Sequence, residues 1–217
     1  MALKIFVSTS IEELLSELLA QLPANNRSVF TPNYLVTQTG GMDNWLKFQV
    51  ATKLGIAANI KYLRPTALVS RLFYLTGGRF GRDAFSGDLT WVLYKLLGEE
   101  VFEQAFPDLA RYYGDGQAGD LKRLGLAGKV SDLFDQYQVY RPDMVARWNA
   151  LSLDAARKEG WQPYLWRRTK EVSGDSMPDK TEVAGYILKH INEERVQDRL
   201  RSELPLVYVF GVSVLSP

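Results

Sequence analysis

Lys4-Ile5-Phe6-Val7-Ser8 alternates apolar and polar positions and predicts a short β-strand, and Ser10-Ile11-Glu12-Glu13 after it fits a capping box that opens a helix. Ile11, Leu14, Leu15, Leu18, Leu19 and Leu22 recur at helical spacing until Pro23. Residues 24–33 read as loop. Tyr34-Leu35-Val36-Thr37-Gln38 predicts a second strand. Thr39-Gly40-Gly41 then turns into a helix with Met42, Trp45, Leu46, Val50 and Leu54 on one face and Gly55 as its stop. This β-loop-α-β-loop-α order implies a parallel sheet with its functional loops at the carboxyl ends of the strands.

From about Arg64 to Glu203 the pattern becomes almost wholly helical, over 65–76, 88–98, 121–140, 142–151, 161–172 and 181–193, with Gly- and Asp-rich breaks between. Pro205-Leu206-Val207-Tyr208-Val209-Phe210-Gly211 returns to a short buried strand. The implied organisation is α/β: residues 1–63 begin a sheet domain, 64–203 form a helical insertion, and 204–217 bring a strand back. Three strands are few for a parallel sheet covered on both faces, so the sequence reads as the N-terminal piece of a longer subunit.

With 217 residues, 46% of them hydrophobic, the chain can bury a substantial core. The absence of Cys excludes disulfide staples, thiolate metal sites and cysteine nucleophiles, and points to a reducing cytoplasm. No apolar run approaches the ~20 residues of a membrane span, so no membrane partner is expected. The formal net charge is only +1, but it is unevenly placed. Residues 18–82 carry eight Lys and Arg against Asp43 alone, which leaves −6 for the remainder. A basic stretch beside a strand-loop-helix unit suggests contacts to a phosphate backbone.

A phosphate-cradling turn would sit in the first β-loop-α, yet the loop is Ser8-Thr9-Ser10, without Gly or Lys and followed by Glu12 and Glu13. The last strand would supply a magnesium-holding acid, but it leads into Phe210-Gly211-Val212-Ser213. Nucleotide hydrolysis is therefore not expected, and no cofactor is implied. The second loop is chemically richer: Gln38, Thr39 and Asn44 can hydrogen-bond bases or phosphates, while Trp45, three residues from Met42, reads as core. Farther on, Leu126, Val130, Leu133 or Phe134, and Tyr137 form a buried stripe that leaves Asp132, Asp135, Gln136 and Arg141 on other faces. Asp132 and Asp135 share a helix side, but without a nearby third acid or His no metal is expected. His190, among Lys189, Glu193 and Glu194, reads as structural, and Gly77-Gly78-Arg79-Phe80-Gly81-Arg82 as a basic loop able to touch phosphate.

Several of these segments together resemble a family: VTQTGGMDNWL from Val36 to Leu46, Lys53-Leu54-Gly55-Ile56-Ala57-Ala58-Asn59-Ile60, the run Asp132 to Pro142, Trp161 to Trp166, and Val209 to Pro217. They are similar, in order along nearly the whole chain, to the N-terminal region of the RecC family, the gamma subunit of exodeoxyribonuclease V. The resemblance implies a P-loop NTPase or superfamily 1 helicase-like (RecA-like) sheet with a large helical insertion and a degenerate nucleotide site. It further implies a RecB-like motor-nuclease subunit and a RecD-like motor subunit as partners, and DNA, both fork and single strand, as the ligand. In the family this region lines a tunnel for the 3′-ended strand, where the octamer Chi is recognised. Gln38, Asp132, Leu133, Asp135 and Arg141 match octamer-reading positions in type. Gly40, Asn44, Arg64 and Ser70 stand where the family pattern has Thr, Gln, Leu and Trp, so the same octamer does not follow.

The function expected from the sequence is thus a non-catalytic, single-strand-binding subunit of a recombination-repair helicase-nuclease. Lys61, Arg64, Arg71 and Arg141 are expected at phosphates, and Gln38, Asn44 and Asp135 at bases. The alternative is a scaffold that docks the motor subunits, its basic stretch meeting an acidic partner.

Overall fold

A computed structural model describes residues 3–24, 31–79, 89–174 and 178–212. The chain divides into two compact units, one built from the chain up to Gly77 and again from Ile187, the other from Gly78 to Tyr186.

The first unit holds helix α1 (Ile11–Ala24), strand β1 (Asn33–Val36), α2 (Gly40–Leu54), β2 (Ile60–Leu63), α3 (Pro65–Leu75), and, after the second unit, α12 (Glu194–Glu203) and β3 (Val207–Val209). The three strands are parallel in the order β2-β1-β3, with Leu35 opposite both Tyr62 and Tyr208. Tyr34, Leu35 and Val36 are all buried because helices cover both sheet faces, which is why the central strand is an unbroken apolar run. On one face Leu35 and Phe210 pack with Leu15, Leu18 and Leu22 of α1 and Leu46 and Val50 of α2. On the other, Tyr34 meets Leu75 of α3 and Val196 and Leu200 of α12. α2 ends at Gly55, whose φ of 80° is the left-handed geometry expected of a helix stop.

The sheet differs from the sequence expectation in its membership. Lys4–Ser8 is not a strand; Leu3, Ile5, Phe6 and Val7 are exposed, and no strand lies beside them among the described residues. The third strand is instead Ile60–Leu63, paired to β1 along its whole length. Alternation makes a segment able to be a strand, but only a neighbour's free N–H and C=O groups make it one. Gly40 and Gly41 form the first turn of α2 rather than a turn before it.

The second unit is helical: α4 (Leu89–Leu97), α5 (Glu100–Ala105), α6 (Pro107–Tyr113), α7 (Gly116–Tyr140), α8 (Pro142–Ala150), α9 (Leu153–Glu159) and α10 (Trp161–Ser173), followed by α11 (Lys180–His190), which runs across the boundary at Tyr186. Its core joins Leu93, Leu97, Phe102, Val130, Phe134, Val145, Trp148 and Leu165. Of the alternatives in the α7 stripe, Phe134 is fully buried, edge-on to Trp148 and Trp166, and Leu133 is half-buried outside that cluster. Gly119 packs so closely on the Gly114 carbonyl that a Cβ would lie 2.4 Å from its oxygen. No described helix is long and apolar enough to cross a membrane.

Candidate nucleic-acid interface

The loop between β1 and α2 begins at Thr37, fully buried, and rises to exposed Gln38, Thr39, Gly40 and Gly41 at the carboxyl end of the sheet. Thr39 is the N-cap of α2: its backbone is extended and its hydroxyl accepts from the Met42 N–H at 3.3 Å. That bond fixes the start of the helix, so exposed Asn44 follows within the second turn. Trp45 turns inward and stacks against Phe210 at a centroid distance of 6.3 Å, as its spacing from Met42 predicted.

Arg64, the N-cap of α3 at the end of β2, ties this loop down. Its Nη1 donates to the Thr37 carbonyl at 3.1 Å and to the Thr37 hydroxyl at 2.8 Å, and its Nη2 donates to Asp43 Oδ2 at 2.8 Å. The Thr37 hydroxyl in turn donates to Asp43. Burial by itself would raise the Asp43 carboxyl pKa, but hydrogen bonds from Arg64 and Thr37 and the charges of Arg64 and Lys47 outweigh it and hold the group below its ordinary value. Arg64 thus arrives at the loop already bonded to a carboxylate. Sequence reasoning singled out neither Thr37 nor Asp43, although the lone acid in a basic stretch was the available signal.

Lys61 and Arg71 lie elsewhere on the first unit. The Lys61 ammonium sits 5.8 Å and the Arg71 guanidinium 5.2 Å from the ring centre of Tyr34, on the sheet face covered by α3 and α12, and Arg71 also pairs with Glu203 at 3.3 Å.

Asp132, Leu133, Asp135 and Arg141 belong to the second unit. Asp132 and Asp135 are exposed three residues apart on α7. Asp135 accepts from Lys180 Nζ at 2.6 Å, while the Lys180 N–H donates to Gln138 Oε1 at 2.9 Å, so this side of α7 is joined to the start of α11. Arg141 is exposed where α7 hands over to α8; its N–H donates to the Tyr137 carbonyl and its own carbonyl accepts from Val145. No group of three or more potential metal ligands occurs among the described residues.

The turn where a phosphate loop would lie is occupied by carboxylates. The Glu13 N–H donates to Ser10 Oγ at 3.3 Å, as the capping pattern predicted, but the Glu13 carboxylate takes the Ser8 hydroxyl. Glu12 accepts from Ser10 Oγ at 2.9 Å, and hydrogen bonding from its own backbone N–H and from Ser10 holds its pKa below the ordinary value. Two carboxylate side chains on the first turn disfavour a polyphosphate there. His190 is bonded through Nδ1 to Glu193. Of the basic loop after α3, residues 80–82 lie outside the described residues, as does Ser213.

Comparison with known proteins gives this geometry its context. The chain is 30% identical over 193 residues to the RecBCD enzyme subunit RecC of Escherichia coli, covering 87% of this chain and 17% of that protein. The subunit of the same name from Haemophilus influenzae is 28% identical over 240 residues, covering 97% and 21% respectively. That from Mycolicibacterium smegmatis is 26% identical over 145 residues, covering 64% and 13%. The chain therefore spans about a fifth or less of the length of these relatives. The family described as RecC, N-terminal domain, matches residues 3–217, and the chain belongs to it.

Proposed function

We propose that this chain is the N-terminal part of a RecC-type subunit that binds the 3′-ended single strand of a DNA fork, without nucleotide hydrolysis of its own, in a cytoplasmic helicase-nuclease that repairs double-strand breaks by recombination. RecB-like and RecD-like subunits supply the motors and the nuclease. In this reading the α/β unit is a helicase-like domain whose nucleotide site has degenerated, and the helical stretch is its insertion.

The observation that carries the reading is the exposed Gln38-Thr39 loop at the carboxyl end of β1, followed by Asn44 and pinned from below by Arg64. Loops in this position of a parallel sheet meet ligands, and a polar loop held rigid can present hydrogen-bonding groups without losing conformational entropy on binding. Gln38, Thr39 and Asn44 face bases or sugar-phosphate, with Arg64 as the group that orients them. Lys61 and Arg71 contribute positive field. On the second unit Arg141 contacts phosphate, and Asp132, Leu133 and Asp135 line the strand's path. The relatives' names, subunits of the RecBCD enzyme, favour the same assembly.

The test is binding of a fluorescent single-stranded oligonucleotide to the intact complex over a salt series, with wild-type chain, Gln38→Ala and Arg141→Ala. Weakened binding by both variants is expected, about 1 to 3 kcal/mol for a base contact. Unchanged binding would leave the scaffold alternative in its place.

A further inference from the structure

We infer that the free flank of the Arg64 guanidinium, beneath Gly40 at the foot of the Gln38-Thr39 loop, reads guanine in an unpaired strand through its O6 and N7 acceptors. The inference rests on the proposed function and names the base that this loop selects.

The bonds that Arg64 makes leave one edge of its plane open. Nη1 and Nη2 together hold the Asp43 carboxylate, at 3.2 Å to Oδ1 and 2.8 Å to Oδ2, and Nη1 also donates to the Thr37 carbonyl and hydroxyl. The donors left over are Nε–H and the second N–H of Nη2, which lie side by side on the flank of the rigid guanidinium fork. Neither has a partner among the described residues. The Nε atoms of Arg71, Arg123 and Arg167 are buried without a hydrogen-bond partner, but that of Arg64 is open to solvent, and the Arg64 side chain is 37% exposed despite its bonds. Its orientation is nonetheless fixed, because Thr37 is fully buried and Asp43 belongs to the first turn of α2. Gly40 keeps the approach clear. A Cβ there would lie 3.6 Å from Nη2, in van der Waals contact, so a larger side chain would crowd that nitrogen. The backbone of Gly40 is not left-handed, so what the glycine supplies is space and not conformation.

Two parallel donors match two adjacent acceptors, which a phosphate and a guanine edge both offer. Asp43 decides between them. Its carboxyl stays ionised beside Arg64, so the guanidinium is already neutralised and keeps its directional donors with little net charge to attract a phosphate. An uncharged acceptor pair suits such a fork. Guanine presents O6 and N7 together, whereas adenine sets a donor beside its N7. Unpaired cytosine also offers two acceptors, N3 and O2, but bidentate arginine on guanine is the commonest base-specific contact. A carboxylate on the opposite edge holds the fork in place before the ligand arrives, which lowers the entropy lost on binding.

The experiment uses the full-length subunit in the intact complex and fluorescent single-stranded oligonucleotides of one mixed sequence. Their guanines are kept, replaced by 7-deazaguanine, which lacks the N7 acceptor, or replaced by inosine, which keeps both O6 and N7. Affinities are compared for wild type, Arg64→Lys, which keeps the charge without the fork, and Gly40→Val, which covers it. Wild type is expected to favour guanine over 7-deazaguanine by about fivefold or more and to bind inosine like guanine, and both variants to lose that preference. The three strands on wild type need no variant, so the comparison stands even where a substitution lowers the melting temperature. Equal affinity of wild type for the guanine and 7-deazaguanine strands overturns the inference. So does a preference that survives Arg64→Lys, or a salt slope lowered by about 0.7 in Arg64→Gln with the preference intact, which would make Arg64 a phosphate contact. Unchanged binding by Gln38→Ala and Arg141→Ala would remove the proposed function and this inference with it. Weakened binding by those two variants without any guanine preference would remove this inference alone.

Discussion

The guanidinium of Arg64 bonds to the carbonyl and hydroxyl of Thr37 and to Asp43, so four groups from three segments of chain meet under one loop. Charge-assisted bonds of this kind are stronger than neutral ones, but Arg64 is more than a third exposed, so solvent screens the pair. Asp43→Asn is expected to cost about 1 kcal/mol at neutral pH, read as a shift in the urea midpoint. The carboxyl pKa is lower in the folded chain than in the unfolded one, so the pair's contribution is complete above the ordinary carboxylate value and disappears as pH falls through the depressed one. Wild type should therefore lose more stability on acidification than Asp43→Asn, and equal losses in parallel urea titrations would show that the pair contributes nothing. Because Arg64 already holds a carboxylate, its replacement by Gln should leave the salt slope of oligonucleotide binding unchanged. Arg141→Gln should lower that slope by about 0.7, the value for one single-strand phosphate contact. The sequence showed the polar loop and the basic side chain; their connection through buried Thr37 depended on β1 and β2 lying side by side.

Helix α7 shows what periodicity can and cannot decide. Leu133 and Phe134 are adjacent, about 100° apart around the helix, and either fits the apolar stripe. Trp148 of α8 and Trp166 of α10 select Phe134 by meeting its ring edge-on. Phe134→Ala is expected to cost about 3 to 5 kcal/mol and Leu133→Ala less than about 1.5, both from urea unfolding. A comparable element-level device starts α11. Asp179 accepts from the backbone N–H groups of Thr181 and Glu182, and Glu182 accepts from the Asp179 N–H, a reciprocal cap. Asp179 also accepts from Asn149 at 2.8 Å, and Asn149 accepts from Trp166 Nε1 at 2.8 Å, so the cap of one helix is bonded to the core of the unit. Burial would raise the Asp179 pKa, but bonds from Thr181, the Glu182 backbone and Asn149, with the charge of Lys170, leave it lowered. Asp179→Ala removes the cap and leaves Asn149 and Lys170 with fewer partners, at a cost of about 2 to 4 kcal/mol, and near-ultraviolet circular dichroism of Trp166 should change with it.

Across the whole chain the charge is concentrated by sequence but divided by topology. The basic stretch that carries +7 supplies Lys47, 5.0 Å over the Tyr62 ring on the α1/α2 face of the sheet, and Lys61 and Arg71 about Tyr34 on the α3/α12 face. One run of sequence thus yields separate cationic regions, because α2 and α3 cover opposite faces of the sheet. Lys61→Gln/Arg71→Gln should slow association of the oligonucleotide at low salt and converge with wild type at high salt, with base preference unaltered; a changed base preference in stopped-flow competition would contradict a field-only role. The parallel sheet, the Gly55 stop of α2 and the inward turn of Trp45 were legible in the sequence, whereas Lys4–Ser8 read as a strand and Ile60–Leu63 did not. Which segment became the third strand, which of two adjacent residues filled the core, and which acid met Arg64 were settled only in the fold. Those outcomes depend on backbone and side-chain groups that come close only after distant parts of the chain have packed.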